Sequence, residues 1–267
     1  MEFLTVPLRQ REEFAVKRIM WLLNTLVIAL IIQLPLNAET LFFDDFEDGK
    51  IGDVYVLDAP QTHVGNPEWV EEEGVLKQVS LKSGDETYAI IANDIEFPKM
   101  ITIQAKVRVD SWVDGDAARC GVGLRLNPDV GRGLSLLFHQ DQNRVQFLSD
   151  QASWGTQIPF PWEVGKWYWF KFHVDENDDL LGKVWEDGEA EPDDWMMEQN
   201  IAFTAADRSY EGGYQFPALN ASGKELNRAG DNTVSFDDVE VYDEGGPSPK
   251  AVSARGKLAV TWGEIKR

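Results

Sequence analysis

The chain has one cysteine, Cys120, among its 267 residues. Because an internal disulfide needs two cysteines, the stability of a secreted form must come from an apolar core or from a bound metal. Cys120 alternates with Val122, Leu124 and Leu126 in an apolar set. This spacing predicts a buried, unreactive thiol rather than a nucleophile.

Basic residues are also scarce. The chain contains 25 lysine and arginine residues against 46 acidic residues, which gives a formal net charge of −21. That sign disfavours nucleic acid or an anionic membrane surface as a partner, because both repel an acidic protein. Two interpretations of the excess acid stay open: a solvated acidic surface, or carboxylates of which some bind calcium.

Helical periodicity is missing from the middle of the chain, where no stretch keeps it for as long as about ten residues. Apolar and polar side chains instead alternate from Met100 to Asp110 and from Lys166 to Val174, which is typical of strands with one buried face. The second of these is followed by the polar run 175–179 and a strand over 180–186, so a hairpin is predicted. Further strands are predicted at 41–46, 74–81, 87–92, 119–126, 133–140, 144–149 and 233–242.

The hairpin opens on Gly165-Lys166-Trp167 and closes on Asp187-Gly188. A strand that begins with Gly-x-Trp, an acidic turn and a strand that ends in Asp-Gly resemble the LamG-like branch of the concanavalin A-like lectin and glucanase superfamily. The resemblance covers about Leu41 to Tyr242 and implies an all-β fold, a two-sheet antiparallel jelly-roll sandwich of roughly a dozen strands. We therefore expect one β-sandwich domain over residues 39–243.

Both ends of the chain fall outside this expected domain. Lys17-Arg18, the apolar run 19–34 and Ala38 predict a signal peptide with an extended first region over residues 1–38. A retained membrane anchor is the alternative, and the membrane is a partner only if this segment stays uncleaved. Residues 244–267 are predicted to be a linker and a short tail. The expected location is secreted, periplasmic or at the cell surface.

The first and last predicted strands carry acidic runs. Members of the superfamily often bind a structural calcium ion where these strands lie side by side, and the resemblance assigns Asp237 as the best ligand, with Asp45 and Glu47 as weaker ones. Alternation in the last strand breaks at Asp237-Asp238, which predicts a β-bulge. The alternative is that these acidic residues protect an edge strand against aggregation.

The patterns that would indicate catalysis are absent from the sequence. Glucanases of this superfamily place their paired carboxyl groups on one strand in the pattern Glu-x-Asp-x-x-Glu, which this chain lacks. No Gly-x-Ser-x-Gly motif supports a serine nucleophile beside His63, His139 or His173. No catalytic residue is therefore assigned, and a binding protein is favoured over an enzyme.

Bases, amides and indoles are concentrated on the predicted outward faces of the strands. In so acidic a chain this composition favours a saccharide groove, because sugars stack on indoles and hydrogen-bond to basic and amide side chains. The candidate ligand-binding residues are Arg119, Arg125, His139, Gln146, Trp169, His173 and Trp185. A core position is the alternative for Trp169 and Trp185. Trp112, Trp154 and Trp162 lie near loops, where each is a candidate for the rim of a cleft.

The leading hypothesis is a secreted, lectin-like β-sandwich without catalytic activity, which binds a polysaccharide or glycoconjugate and carries a structural calcium ion. Two alternatives remain: a glycoside hydrolase or lyase of a polysaccharide-degrading system, and a cell-surface adhesion module.

Overall fold

The computed structural model describes residues 40–57, 68–79, 87–92, 95–115, 118–127, 132–149, 153–201, 216–221 and 232–243. The predicted signal peptide and the predicted linker and tail lie outside these residues. Within them there is no α-helix, and so no helix with the length and apolar character that a membrane crossing requires.

The strands of the described residues form two antiparallel sheets, so the predicted all-β sandwich is confirmed. Their bounds are β1 Thr40–Asp44, β2 Tyr55–Val56, β3 Trp69–Glu72, β4 Val75–Gln78, β5 Thr87–Ile91, β6 Ile101–Ser111, β7 Arg119–Asn127, β8 Arg132–His139, β9 Arg144–Ser149, β10 Ser153–Pro159, β11 Trp167–Val174, β12 Asp179–Glu186, β13 Met197–Asn200, β14 Phe216–Ala221 and β15 Thr233–Tyr242. The eight-stranded sheet has the order β13-β12-β11-β6-β15-β4-β3, with β1 also paired to β15, and the seven-stranded sheet has the order β10-β9-β8-β7-β14-β5-β2.

The main core lies between the two sheets and is built by period-two alternation. In β11, Tyr168, Phe170, Phe172 and Val174 are buried, as the sequence predicts. The hairpin is also confirmed, because β11 pairs with β12 from Tyr168 opposite Glu186 to Val174 opposite Leu180. Cys120 belongs to the same core, where burial raises the pKa of its thiol well above the usual value. The thiol is therefore buried, as predicted, and the raised pKa favours its neutral form.

A second, smaller apolar cluster lies on the outer side of the seven-stranded sheet. Tyr88, Ile90, Leu126 and Ala218 form it, each with no more than 1% of its surface exposed. Leu124 and Leu126 would share a face in a regular strand, but β7 shifts register between Leu124 and Asn127, and Leu126 reaches the outer cluster. Simple alternation could not predict this reversal.

Arg125, at the same irregularity, joins the two sheets. Its backbone has φ +55°, and its Nη2 atom donates to Asp178 Oδ1 at 2.7 Å, in the turn between β11 and β12. Lys99 Nζ lies 2.9 Å from the same oxygen. Although burial opposes the change, the hydrogen bonds from Arg125 and Lys99 lower the pKa of Asp178 below its ordinary value. Arg125 therefore stabilises the sandwich instead of facing a groove.

Replacing Asp178 with asparagine should destabilise the fold at pH 7 by about 2 kcal/mol, because a charge-assisted hydrogen bond to the buried Arg125 is lost. The pKa of Asp178 is lowered on folding, so this contribution is full above the unfolded-state pKa of about 4 and is lost as the pH falls through the folded value. Urea unfolding at pH 7 and pH 3 measures the difference. Glu176→Gln, in the same turn, is the control; an equal effect of both variants at pH 7 contradicts the assignment.

Gly121 is the second position at which the fold predicts a large effect. It has φ +156°, and a Cβ atom there would overlap the carbonyl oxygen of Leu136 on the paired strand β8. Gly121→Ala should therefore lower the free energy of unfolding by about 3 kcal/mol. Gly49→Ala provides the comparison, because φ is +71° there but no atom lies within 4 Å of the added Cβ, so only about 1 kcal/mol of backbone strain is expected. Thermal unfolding of both variants measures the difference: if close packing of β7 against β8 requires glycine at position 121, Gly121→Ala lowers the stability more than Gly49→Ala does.

Candidate functional site

The predicted ligand-binding residues lie on two different surfaces. Arg119, His139 and Gln146 are on β7, β8 and β9 of the seven-stranded sheet, and their neighbours Cys120, Phe138 and Phe147 fill the core. Their side chains therefore face outward. Trp169, His173 and Trp185 are on β11 and β12 of the eight-stranded sheet and face outward on the opposite side of the core. With Arg125 in the inter-sheet ion pair, the expected single groove does not form.

On the eight-stranded sheet, the two tryptophans pack against each other. Trp169 and Trp185 are cross-strand partners with ring centroids 6.1 Å apart and an interplanar angle of 16°. Trp169 Nε1 donates to Asp187 Oδ1 at 2.8 Å, and Lys106 Nζ lies 5.1 Å from the Trp169 ring. Only 8% of Trp185 is exposed. Both indoles thus lie outside the core, yet neighbouring side chains already use much of their surface.

The basic groups of this face have acidic partners. Lys106 Nζ lies 2.9 Å from Asp238 Oδ2, and Lys171 Nζ lies 2.9 Å from Glu191 Oε1, which also contacts Lys183. His173 shares a 2.8 Å hydrogen bond between its Nδ1 atom and Thr102 Oγ1. Burial lowers the pKa of His173, which favours the neutral ring. These pairings explain the bases on the face without a bound sugar.

The seven-stranded sheet presents a different arrangement, which we name the Trp154 cluster: Trp154, His139, Arg119 and Gln146. The imidazole of His139 lies parallel to the Trp154 indole, with a centroid separation of 3.7 Å and an interplanar angle of 16°. The guanidinium carbon of Arg119 lies 5.2 Å from the same indole. His139 is 1% exposed but Trp154 is 44% exposed. The indole therefore covers His139, while much of the Trp154 surface stays accessible to solvent.

Hydrogen bonds fix the position of this stacked pair. Gln146 Nε2 donates to the carbonyl oxygen of Gly155 at 3.1 Å, which orients the amide. Gln146 Oε1 then lies 2.7 Å from His139 Nδ1, so this ring nitrogen carries the proton. Gln146 thus links the backbone of Gly155, next to Trp154, to the imidazole of His139 beneath the indole. Both the indole and the imidazole are thereby held in place.

A second arginine flanks the cluster at the start of β9. Arg144 Nη2 donates to Asp141 Oδ2 at 2.6 Å, and Arg144 Nη1 lies 3.3 Å from Gln157 Oε1 on β10. The hydrogen bond from Arg144 lowers the pKa of Asp141, although burial opposes the shift. This ion pair and the Gln157 contact connect β9 to the strand that carries Trp154.

The other two loop tryptophans do not form a cleft rim. Trp162 is 3% exposed and stacks on Phe138 with a centroid separation of 4.5 Å, so it belongs to the core. Trp112 packs edge-on against Trp162 at 4.9 Å. Of the three loop candidates, Trp154 alone presents a large exposed surface. The sequence identifies Trp154 as a candidate, but the alternation of apolar and polar residues does not show which of the tryptophans is exposed and which are packed.

The predicted calcium ligands are not gathered into a metal site. The bulge at the aspartate pair is confirmed, because pairing between β15 and β6 is irregular between Asp237 and Glu240. Asp237 Oδ1 accepts from the Asp238 amide at 2.7 Å, and Lys106 Nζ lies 3.9 Å from Asp237 Oδ2. Within the described part of the chain, no three His, Cys, Asp or Glu residues are close enough to hold a metal ion.

The three assigned residues Asp237, Asp45 and Glu47 therefore do not fit the six to eight oxygen ligands of calcium as they are placed. Burial, reinforced by the charge of Asp238, raises the pKa of Asp237 above its ordinary value. A calcium ion stays a prediction from the family resemblance.

No family model and no curated protein sequence matches the chain. Several solved structures share its fold. A xylan β-1,4-xylosidase from Bacillus halodurans C-125 is 14% identical with a TM-score of 0.50, over 76% of this chain and 39% of that one. A β-1,3-glucanase from Mycobacterium marinum is 13% identical with a TM-score of 0.50, over 76% of this chain and 98% of that one.

The CBM2 module of an evolved Dit protein from Lactobacillus casei BL23 phage J-1 is 10% identical with a TM-score of 0.50, over 79% of this chain and 98% of that one. A GH43 protein from Bacillus licheniformis, like the xylosidase, is matched over only 39% of its own length. At these identities the likenesses show the fold: a β-sandwich of the kind also present in glycoside hydrolase structures.

Proposed function

We propose that the protein is a non-catalytic carbohydrate-binding β-sandwich and that a sugar ring stacks on the open face of Trp154. The observation that carries the proposal is the parallel stack of Trp154 on the buried His139, together with the 44% of Trp154 that stays exposed. A flat, exposed and rigidly held aromatic ring is the surface that the CH groups of a sugar require.

Polar groups beneath and beside the indole hold it in place for a ligand. Arg119, His139 and Gln146 each have 7% or less of their surface exposed, and His139 and Arg119 contact the ring directly. Their positions are fixed by packing and by the hydrogen bonds to Gln146, so little conformational entropy is lost when a ligand binds. The cluster combines an apolar platform with fixed polar neighbours, which is typical of small-ligand sites.

The fold neighbours indicate which sugars to test first. By their names, one acts on β-1,3-glucan and another on xylan-derived chains. We infer that a β-linked polysaccharide is the ligand class. Membership of the concanavalin A-like superfamily and a location outside the cell, in the periplasm or at the cell surface, belong to the same proposal.

Trp154→Ala should weaken binding to the recognised polysaccharide about tenfold, because stacking on an indole contributes roughly 1.5 kcal/mol. Affinity electrophoresis and calorimetry with β-1,3-glucan and xylan measure this, and Trp154→Phe, which keeps an aromatic ring, should retain part of the affinity. Phe43→Ala is the matched control, since Phe43 is 45% exposed and lies on the eight-stranded sheet.

Three results contradict the proposal. The first is that folded wild-type protein binds none of a broad polysaccharide panel. The second is that Trp154→Ala binds as tightly as wild type. The third is release of reducing ends from the bound polysaccharide, which identifies an enzyme instead of a binding protein.

A further inference from the structure

The outward position of Trp154 depends on an irregularity in β10. Trp154 pairs with Leu148 of β9 and Gln157 pairs with Gln146, so three steps along β10 match two steps along β9. β10 therefore carries one extra residue between these two pairs, which makes a β-bulge. Because side chains in a strand alternate with period two, one extra residue moves every side chain before it to the other face of the sheet.

The burial of the strand shows this reversal. Beyond the bulge, Ile158 pairs with the core residue Val145 and packs against the same core. Trp154 and Ile158 are four residues apart, so both side chains would point inward in a regular strand. Trp154 instead lies opposite Leu148 and is 44% exposed. The bulge thus turns the indole away from the core and onto the outer face, over His139.

The two residues inside the bulge, Gly155 and Thr156, face no cross-strand partner on the described strand β9. Their backbone polar groups therefore need other partners, and two glutamine side chains provide them. Gln146 Nε2 donates to the carbonyl oxygen of Gly155 at 3.1 Å. The amide of Thr156 donates to Gln199 Oε1. Gln146 also contacts His139, so hydrogen bonds connect the bulge with the imidazole beneath the indole.

Gln199 belongs to the other sheet. It lies on β13, the end strand of the eight-stranded sheet, where its backbone pairs with Leu180 of β12. β10 is the end strand of the seven-stranded sheet. An end strand presents backbone groups along an edge that no further strand covers, and at Thr156 the Gln199 side chain supplies the missing acceptor. This hydrogen bond ties the bulge to a strand other than its ladder partner β9.

We propose that Gln199 is a positioning residue for the sugar platform: by accepting from the Thr156 amide, it holds the β10 bulge in the form that keeps Trp154 stacked on His139. The effect on sugar affinity rests on the proposed function, whereas the effect on the indole does not. Without this acceptor the bulge is less stable, and a shift of one residue moves the indole off the outer face. A platform that is formed in only a fraction of the molecules binds with an affinity reduced by that fraction.

Gln199→Met tests the proposal, because methionine has a similar length but its sulfur is only a weak acceptor. NMR of the full chain without sugar gives the first measurement. The His139 imidazole protons should lie upfield in wild type, since the ring lies 3.7 Å from the Trp154 indole, and should move toward their ordinary position in Gln199→Met. Gln199→Glu keeps an oxygen acceptor and should restore the wild-type shifts. Glu198→Gln, at an exposed position of β13, is the control and should leave them unchanged.

Calorimetry with β-1,3-gluco-oligosaccharides and xylo-oligosaccharides gives the second measurement. Gln199→Met should weaken the binding of the recognised sugar about fivefold, which is the effect of losing one hydrogen bond. Gln199→Glu and Glu198→Gln should bind like wild type. Amide hydrogen exchange tests the contact without any substitution: the Thr156 amide of the wild-type protein should exchange slowly, because it is hydrogen-bonded.

Three results overturn the positioning role of Gln199. They are wild-type His139 shifts in folded Gln199→Met, an equal displacement of these signals in Glu198→Gln, and exchange of the wild-type Thr156 amide at the rate of an exposed amide. Displaced His139 signals in Gln199→Met, in a protein that binds no sugar in any form, support the positioning role and contradict the carbohydrate-binding proposal instead.

Discussion

Burial of every second side chain between the two sheets is the constraint on which this structure depends. In β6, the residues Ile101, Ile103, Ala105, Val107 and Val109 are at most 1% exposed, and β11 repeats the alternation. Apolar burial of this kind is the dominant favourable contribution to folding. It also forces the intervening side chains outward. There, tryptophans, bases and acids either form hydrogen bonds and ion pairs with one another or remain available to a ligand.

The two outer faces meet that requirement differently. On the eight-stranded sheet, Lys106, Lys171 and Lys183 pair with carboxylates and lie over indole rings. On the seven-stranded sheet, Trp154 covers His139 and is itself 44% exposed. Aromatic composition is thus similar on both faces, but exposure and local pairing distinguish a packed indole from a binding platform.

Local patterns in the sequence were sufficient to predict the fold class, the β11–β12 hairpin, the buried Cys120 and the bulge at Asp237. They could not assign strands to sheets. Alternation with period two separates inward-facing from outward-facing side chains, but it does not show on which of the two outer surfaces an outward-facing side chain lies. Arg119 and Trp169 therefore look alike in the sequence, although they lie on different sheets with the core between them. At Arg125, a positive φ reverses the alternation of inward and outward side chains. Strand β10 has an irregular burial pattern, so the sequence shows no clear alternation there. Strand β14 shows none either, because it carries the buried polar residue Asn220.

The most direct test of the Trp154 platform is an NMR titration of the tryptophan indole N–H signals with xylo- and β-1,3-gluco-oligosaccharides. The signal of Trp154, assigned by its loss in Trp154→Phe, should move with the sugar concentration, while those of Trp112 and Trp162 stay in place because these rings pack against one another and the core. A saturable titration in which the Trp154 signal does not move would contradict the account.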